Sequence, residues 1–273
     1  MATIEPRRPG MEWLLLLAII VLGVPTAAWL AQERLIFYPQ PVASTAHLPA
    51  RAAPLEVVAA DGTHLRGWIV KGASAPAPAV IYFGGNAEEV SWTLSEKRWP
   101  PEWAIVGVNY RGYGASEGAP GQLVLESDAL EIHDAVARRA DVDPRRIVVF
   151  GRSLGTALAV HVAAERPDAV AGAVLVSPYD SMTAIGKLHY PFLPVSLLLR
   201  HPFDAVPDAQ RNRMPLLAIV GESDSIIPPQ RSRALYDAWA GPKSWLAIPG
   251  ADHNDLGATE AYWHGVARFL AER

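Results

Sequence analysis

The 273-residue chain contains no cysteine. Disulfide bonds, thiolate metal sites and a cysteine nucleophile are therefore excluded, although this absence identifies no cellular compartment. Charge is also scarce, because only 19% of the residues are charged, the formal net charge is −4 and basic runs are missing. A nucleic-acid partner is not expected for such a chain. No period of about 20–50 residues recurs, which argues against a repeat architecture.

Half of the residues are apolar, and one stretch, residues 13–31, has no charged residue at all. At about 1.5 Å per helical residue this stretch is long enough to cross a hydrocarbon layer of about 30 Å. Trp13 and Trp29 lie near its two ends, where indole rings favour the membrane interface. Arg7 and Arg8 precede it, which favours a cytoplasmic N-terminus. We therefore predict a single-pass transmembrane anchor with the remaining chain extracytoplasmic.

Two alternatives to an anchor stay open. Residues 14–24 could be the apolar region of a cleaved signal peptide, although residues 26–28 form a poor cleavage site. A buried helix of a soluble fold is the other alternative, and the uninterrupted apolar length argues against it.

After a connector rich in proline and alanine, short apolar runs alternate with helical patterns. Strands are predicted over residues 55–60, 64–71, 79–83, 104–110, 147–150, 171–177, 216–220 and 244–248. Helices are predicted over residues 88–95, 123–140, 154–165, 228–239 and 259–271. This alternation predicts an α/β fold, in which a mostly parallel twisted sheet carries helices on both faces and the first hairpin adds an antiparallel edge.

The predicted organisation is a tail over residues 1–12, the anchor over 13–31, a connector over 32–54 and one α/β domain over 55–273. Within that domain the 180–213 segment interrupts the alternation, because it is rich in proline and apolar residues. A connection of this length often forms a lid or a binding element. An additional helix packed on the core is an equally good interpretation.

The motif Gly-x-Ser-x-Gly occurs twice. At residues 151–155 it follows an apolar strand and precedes an alanine-rich helix, which is the context of a nucleophile elbow around Ser153. At residues 114–118 it also follows a strand, but Ala119-Pro120-Gly121 then predicts a loop, so no helix starts against Ser116. Ser153 is therefore the predicted nucleophile.

A serine hydroxyl becomes a nucleophile only when a base accepts its proton, and the base needs an orienting group. Of the eight histidines, His253 is the one that lies in a loop directly after a late predicted strand. Asp224 follows the strand at 216–220, which completes the chain order Ser, acid, His. Glu222 and Asp252 are alternative acids, and Asp224 could instead be a capping carboxylate.

An acyl-transfer site also needs two backbone donors for the developing oxyanion. We predict the N–H of Leu154 as one of them, because it follows the nucleophile. The other should come from the loop Gly84-Gly85-Asn86-Ala87, where glycines let the main chain approach a substrate closely. Asn86 is the first choice for this donor and Ala87 the second.

Together these residues resemble the α/β-hydrolase superfamily and, within it, the BEM46-like group of membrane-anchored α/β-hydrolase-domain proteins, often labelled serine aminopeptidase-like. The resemblance implies a retained anchor and a structural loop around Ser116. Members usually have His-Gly-Asn where this chain has Gly84-Gly85-Asn86. The matching segments are Leu35-Ile36-Phe37-Tyr38-Pro39, residues 109–118, the elbow, Gly221-Glu222-Ser223-Asp224 and Asp252-His253-Asn254.

The sequence thus predicts a membrane-anchored serine hydrolase that cleaves carboxylic ester or thioester bonds through an acyl-enzyme, with no metal or organic cofactor. The expected partners are a small-molecule or lipid-like acyl ester and the membrane; the apolar 190–199 stretch favours lipid-like acyl groups. A serine peptidase on the same triad and a non-catalytic scaffold of the same fold are the alternatives. Oligomeric state is left open.

Overall fold

A computed structural model describes residues 9–273. Its N-terminal helix consists of α1 (Pro9–Ala18), a π-helical turn (Ile19–Gly23) and α2 (Val24–Ile36). Residues 12–36 are long and apolar enough to be a candidate membrane span. Arg7, Arg8 and most of the predicted tail lie outside the described residues, so the orientation across the membrane stays a prediction.

The helix ends at Ile36 rather than at residue 31, so the first part of the predicted connector is helical. The physical reason is packing. Gln32 and Ile36 are buried against the domain, whereas apolar side chains earlier in the helix, such as Leu14 and Leu22, are exposed. The last turns of α2 therefore belong to the domain as well as to the candidate span.

One eight-stranded sheet organises the domain. Its strands are β1 (Ala52–Val58), β2 (His64–Val70), β3 (Ala77–Phe83), β4 (Ala104–Val108), β5 (Val142–Arg152), β6 (Gly172–Val176), β7 (Leu216–Gly221) and β8 (Lys243–Ile248). They lie in the order β1-β2-β4-β3-β5-β6-β7-β8. The β1–β2 and β2–β4 pairs are antiparallel and all the others are parallel, as the alternation of elements predicted.

Helices cover both faces of this sheet because its central strands are apolar on both sides. In β5, Ile147 and Val149 belong to one core cluster, and Val148 and Phe150 belong to the other. The helices after the span are α3 (Ser91–Leu94), α4 (Gln122–Ala137), α5 (Leu154–Glu165), α6 (Met182–His189), α7 (Val195–Leu198), α8 (Val206–Arg211), α9 (Pro229–Ala238) and α10 (Glu260–Ala271), with a 3₁₀ turn at Leu256–Ala258. The first cluster includes residues of α4, α5, α8 and α9, and the second includes residues of α3 and α10.

Two predicted elements differ in detail. The helix expected over residues 88–95 is reduced to the single turn α3. The carboxylate of Glu88 accepts the Gly85 N–H, and that of Glu89 accepts the Ser91 N–H, so both acidic side chains bond to the backbone of the loop before α3 and of its first residue. The 180–213 segment forms α6, α7 and α8, of which α8 packs on α5 in the core.

Strand order places one crevice at the carboxyl edge of the sheet. Strand β3 pairs with β4 on one side and with β5 on the other, so the chain changes direction across the sheet after β4. Such a reversal of strand order is a topological switch point, where ligands bind in open α/β sheets. The loop after β3 and the motif at the end of β5 flank this point, since Phe83 pairs with Gly151.

Candidate active site

The elbow at the end of β5 holds Ser153 in a backbone conformation that residues other than glycine rarely adopt, with φ 51° and ψ −118°. Its neighbours must be small. A Cβ at Gly155 would overlap the carbonyl oxygen of Phe83, and a Cβ at Gly151 would overlap that of Gly155. The two glycines therefore let α5 begin directly against the ends of β5 and β3, with the N-terminus of α5 behind the serine.

The structure brings Ser153, Asp224 and His253 together in a buried cluster at the carboxyl edge of the sheet. The Nε2 atom of His253 lies 3.1 Å from the Ser153 Oγ. Its Nδ1 lies 2.8 Å from the Asp224 Oδ2. Because the Asp224 carboxylate accepts a hydrogen bond from Nδ1–H, Nε2 is left as the acceptor for the serine hydroxyl. The geometry is that of a nucleophile, a base and an orienting acid.

Asp224 is held by four donors. Besides the imidazole, its Oδ2 accepts the Ser177 hydroxyl at 2.7 Å, and its Oδ1 accepts the Ile226 and Ile227 N–H groups at 3.0 and 2.8 Å. Burial by itself raises the pKa of this carboxyl. The hydrogen bonds from His253, Ile227 and Ser177 outweigh burial, so the pKa of Asp224 is lower than its ordinary value. The carboxylate is therefore ionised at neutral pH.

Neither alternative acid occupies that position. Glu222 is exposed. Asp252 accepts the main-chain N–H of His253 at 2.8 Å and that of Ser225 at 2.8 Å. Its carboxylate therefore fixes the backbone of the histidine loop, whereas Asp224 is the acid that bonds to the imidazole. Ser225 was not singled out by the sequence, although a serine beside the acid loop is an ordinary partner for such a carboxylate.

The second Gly-x-Ser-x-Gly motif serves a different purpose. The Ser116 hydroxyl accepts the Arg66 N–H at 2.8 Å and donates to the Asn109 carbonyl at 2.8 Å. It thereby joins β2 to the loop after β4, and it lies apart from His253. Ser116 is a structural residue.

The loop after β3 lies beside the serine, and Gly85 is close enough that a Cβ there would approach the Ser153 Cβ to 3.7 Å. Within residues 9–273 the N–H groups of Leu154, Asn86 and Ala87 have no protein acceptor. They are thus available as oxyanion donors, and Asn86 and Ala87 both stay candidates for the second one.

The side chain of Asn86 has a structural task that the sequence did not indicate. Its Nδ2 donates to the Ile36 carbonyl at the end of α2, while its main-chain oxygen accepts the Tyr38 N–H and the Tyr113 hydroxyl. The segment at residues 35–39 therefore fixes the β3 loop to the end of the candidate span. This arrangement accounts for one of the motifs that carried the family resemblance.

Arg152, the variable residue of the elbow motif, was also missed. Its guanidinium donates to the Glu88 carboxylate at 3.3 Å, to the His253 carbonyl at 3.3 Å and to the Asn254 side chain at 2.9 Å. Glu88 in turn accepts the Gly85 N–H at 2.9 Å. A single arginine thus connects the β3 loop, the elbow and the histidine loop.

A cavity of about 520 Å³ lies beside Ser153. The β3 loop, Arg152, His253 and Asn254 line its polar end, and mostly apolar residues of α2, α6 and α7 line the rest. Half of the 180–213 segment therefore covers the candidate site, while α8 packs on the core. Both interpretations of that segment apply, each to a different part.

Elsewhere among residues 9–273, His161, Glu165 and Asp208 bring possible metal-ligand atoms together. The Arg211 guanidinium pairs with both carboxylates, at 2.9 Å to Glu165 and 3.1 Å to Asp208. The Nδ1 atom of His161 donates to the Asp208 carboxylate at 2.9 Å, and this contact raises the pKa of the imidazole. An arginine already balances the charge of this group, so we assign no metal to it.

Comparison with known proteins agrees with this architecture. The α/β-hydrolase-fold family matches residues 78–198. The Mycobacterium tuberculosis protein called Uncharacterized protein Rv2307c is 35% identical over 264 residues, which cover 94% of this chain and 93% of the relative. A Saccharomyces cerevisiae relative, named as a membrane protein, is 30% identical over 169 residues and 60% of each chain. An esterase of Pyrococcus furiosus shares the fold with a TM-score of 0.68 and 19% identity, covering 87% of this chain and 97% of that one.

The chain therefore belongs to the α/β-hydrolase superfamily, as its motifs predicted. The mostly parallel sheet and the helices on both faces are the fold of that superfamily.

Proposed function

We propose that this protein is a membrane-anchored serine hydrolase that cleaves carboxylic ester or thioester bonds through an acyl-enzyme. The observation that carries the proposal is the continuous contact from Asp224 through the two ring nitrogens of His253 to the Ser153 hydroxyl. The family and the esterase that shares its fold support hydrolysis as the class of reaction. The exposed apolar helix at residues 12–36 supports anchoring.

The reaction follows from the position of each group. His253 Nε2 takes the proton of Ser153 while Oγ bonds to the acyl carbon, and the carbonyl electrons move to oxygen. The free N–H groups at Leu154 and in the β3 loop stabilise that oxyanion. The tetrahedral intermediate then expels the alcohol or thiol, which receives the proton from His253. Water attacks the acyl-enzyme by the same route, which releases the carboxylic acid and restores Ser153.

An ester or thioester suits the site better than a peptide with a free amino terminus. An aminopeptidase needs an anionic group to hold the substrate ammonium. The described residues that line the cavity include no aspartate or glutamate, and the cation among them is Arg152. A positive amino group would therefore find no carboxylate among the described residues that line the cavity.

The test is covalent labelling with a fluorophosphonate probe. The full-length protein in detergent should be modified at Ser153, as peptide mass mapping would show, and Ser153→Ala and His253→Ala should abolish the labelling. Ser116→Ala is the matched control, because it removes the other motif serine and should keep the label. A folded wild-type protein that is never modified at Ser153 would refute the proposal.

A further inference from the structure

One face of α2 forms a wall of the candidate site. Ala28, Gln32, Leu35 and Ile36 all line the cavity. Their spacing of four, three and one places them on one side of a helix. Of these side chains Gln32 alone is polar, and both ends of its amide are bonded: Oε1 accepts the Arg200 N–H at 2.7 Å, and Nε2 donates to the Leu198 carbonyl at 3.1 Å. The wall is therefore apolar in effect.

The opposite wall comes from α6 and the segment that follows it. Here too the spacing is helical, since Met182, Ile185, Gly186 and His189 of α6 face the cavity. Leu193, Val195, Leu198 and Leu199 complete this wall. The cavity of about 520 Å³ is thus lined by the reacting groups on one part of its wall and by mostly apolar side chains of two helices on the rest. That distribution fits an ester with an extended hydrocarbon chain.

Specific contacts fix α2 to this segment, so the wall is a defined part of the structure. Besides the bonds of Gln32, the Arg200 guanidinium lies 4.9 Å from the centre of the Trp29 ring and 3.3 Å from the Glu33 carboxylate. A cation over an indole and beside a carboxylate holds position better than a single surface ion pair.

The rim of the cavity continues the apolar surface of the candidate span. Leu35, which lines the cavity, is 48% exposed, and beside the other wall Phe192 and Leu197 are 73% and 86% exposed. Helix α7, which carries Leu197, contacts α2. Large apolar side chains of this kind are stabilised at the surface of a bilayer and not in water.

We propose that this cavity holds the single long acyl chain of a membrane lipid ester, and that α2 is one wall of the chain-binding site. The ester chemistry rests on the proposed function, whereas chain binding rests on the cavity alone. The chain enters from the bilayer along the rim, and the ester bond reaches Ser153 at the polar end.

The first experiment measures chain-length preference. The full-length protein in phospholipid nanodiscs is assayed with the p-nitrophenyl esters of butanoic, octanoic, dodecanoic and hexadecanoic acids. Each methylene that enters the cavity should raise kcat/KM by about fourfold until the cavity is filled. Ala28→Phe narrows the cavity and should lower the long-to-short ratio of kcat/KM by about tenfold or more. Ala27→Phe is the matched control, because Ala27 is exposed and does not line the cavity; its ratio should equal that of the wild type.

The second experiment separates chain binding from catalysis. The Ser153→Ala protein is titrated with cis-parinaric acid, a fluorescent long-chain fatty acid, and the further change Ala28→Phe should weaken binding by about tenfold whereas Ala27→Phe should not. Binding with this pattern but no labelling of the wild type would defeat the proposed hydrolase and keep the cavity assignment. Labelling without such binding, or equal effects of the two phenylalanines, would overturn the cavity assignment and keep the hydrolase.

A third arm tests the source of the chain. Monohexadecanoyl glycerol embedded in the nanodisc should be hydrolysed faster than hexadecanoyl-coenzyme A supplied in solution. A preference for the soluble thioester would overturn the proposal that the chain comes from the membrane.

Discussion

Replacing Asp224 by asparagine tests the electrostatic core of the proposed site. The change keeps the size of the side chain, and Oδ1 can still accept the Ile226 and Ile227 N–H groups. The other oxygen becomes an NH₂ group, which cannot accept a hydrogen bond from His253 Nδ1–H. The ring then places its proton on Nε2 and presents it to Ser153, so the base can no longer accept the serine proton.

The expected loss is large and specific. A wrong histidine tautomer in a serine triad lowers kcat by about 10⁴-fold, or about 5 kcal/mol of transition-state stabilisation. The fold should survive, because the two bonds lost at Oδ2, from His253 and Ser177, cost about 1.5–3 kcal/mol each, which is less than the stability of a typical domain, about 5–15 kcal/mol. Asp252→Asn is the matched control. That carboxylate contacts the backbone of the same loop, and we expect its kcat to fall by less than about tenfold.

Two assays check this expectation. The burst and steady state of p-nitrophenyl octanoate hydrolysis give kcat, and circular dichroism confirms that both variants are folded. If Asp224→Asn keeps kcat within tenfold of the wild type while Asp252→Asn loses it, the acid has been assigned to the wrong loop and the reasoning fails.

The same variant has a pH signature. The pKa of Asp224 lies below its ordinary value of 3.8. A carboxylate with a lowered folded-state pKa stabilises the protein above its unfolded-state pKa, and this stabilisation is lost as the pH falls through the folded-state value. The difference in free energy of unfolding between wild type and Asp224→Asn should therefore be constant above about pH 5 and shrink below about pH 4. Urea titrations of the protein in detergent measure this difference.

Three further changes test the frame around the site. Gly155→Ala forces a methyl group against the main chain at the end of β3. It should lower the free energy of unfolding by about 3 kcal/mol or more and abolish fluorophosphonate labelling. Gly257→Ala, whose methyl group meets open space, should change neither the stability nor the labelling. Asp128→Asn breaks a buried bidentate ion pair with Arg111. It should lower the free energy of unfolding, measured in urea, by about 3–5 kcal/mol. A loss under about 1 kcal/mol would contradict the assignment of that ion pair. Arg152→Met releases the histidine loop from the elbow and should reduce kcat by roughly tenfold to a hundredfold with little change in KM; an unchanged kcat would mean that the loops hold their positions without it.

Local patterns in the chain were sufficient to predict the central part of this architecture. The elbow at 151–155 could be recognised because a buried strand and an alanine-rich helix flank it directly. Asp224 and His253 could be selected because parallel strands bring their carboxyl ends to one edge, so loops after late strands face the serine. The structure places these three side chains in contact; their catalytic roles stay predictions.

What the sequence did not predict depends on contacts between distant parts of the chain. The bond from Gln32 to the Leu198 carbonyl joins residues 166 positions apart, and that from Asn86 to the Ile36 carbonyl joins residues 50 apart. No periodicity encodes such pairs. The helix continues to Ile36, beyond the predicted residue 31, for the same reason: Gln32 and Ile36 pack on the domain, and the sequence of that turn alone does not show this contact.

The two halves of the site differ in how firmly they are held, and this difference suits the proposed reaction. Displacing Asp224 would break four hydrogen bonds to its carboxylate. Hydrogen bonds to a charged group are worth about 1.5–3 kcal/mol each. The α6 side of the cavity is held to the acid loop by the bond of His189 to the Ile226 carbonyl, and to α2 mainly through Gln32 and Arg200. Neutral bonds of this kind are worth about 0.5–1.5 kcal/mol each, and the exposed contacts of Arg200 with Trp29 and Glu33 add about 0.5–1 kcal/mol each. Each contact at the walls is therefore weaker than a bond to the Asp224 carboxylate, so we expect any opening of the cavity to occur at these walls and not at the reacting groups.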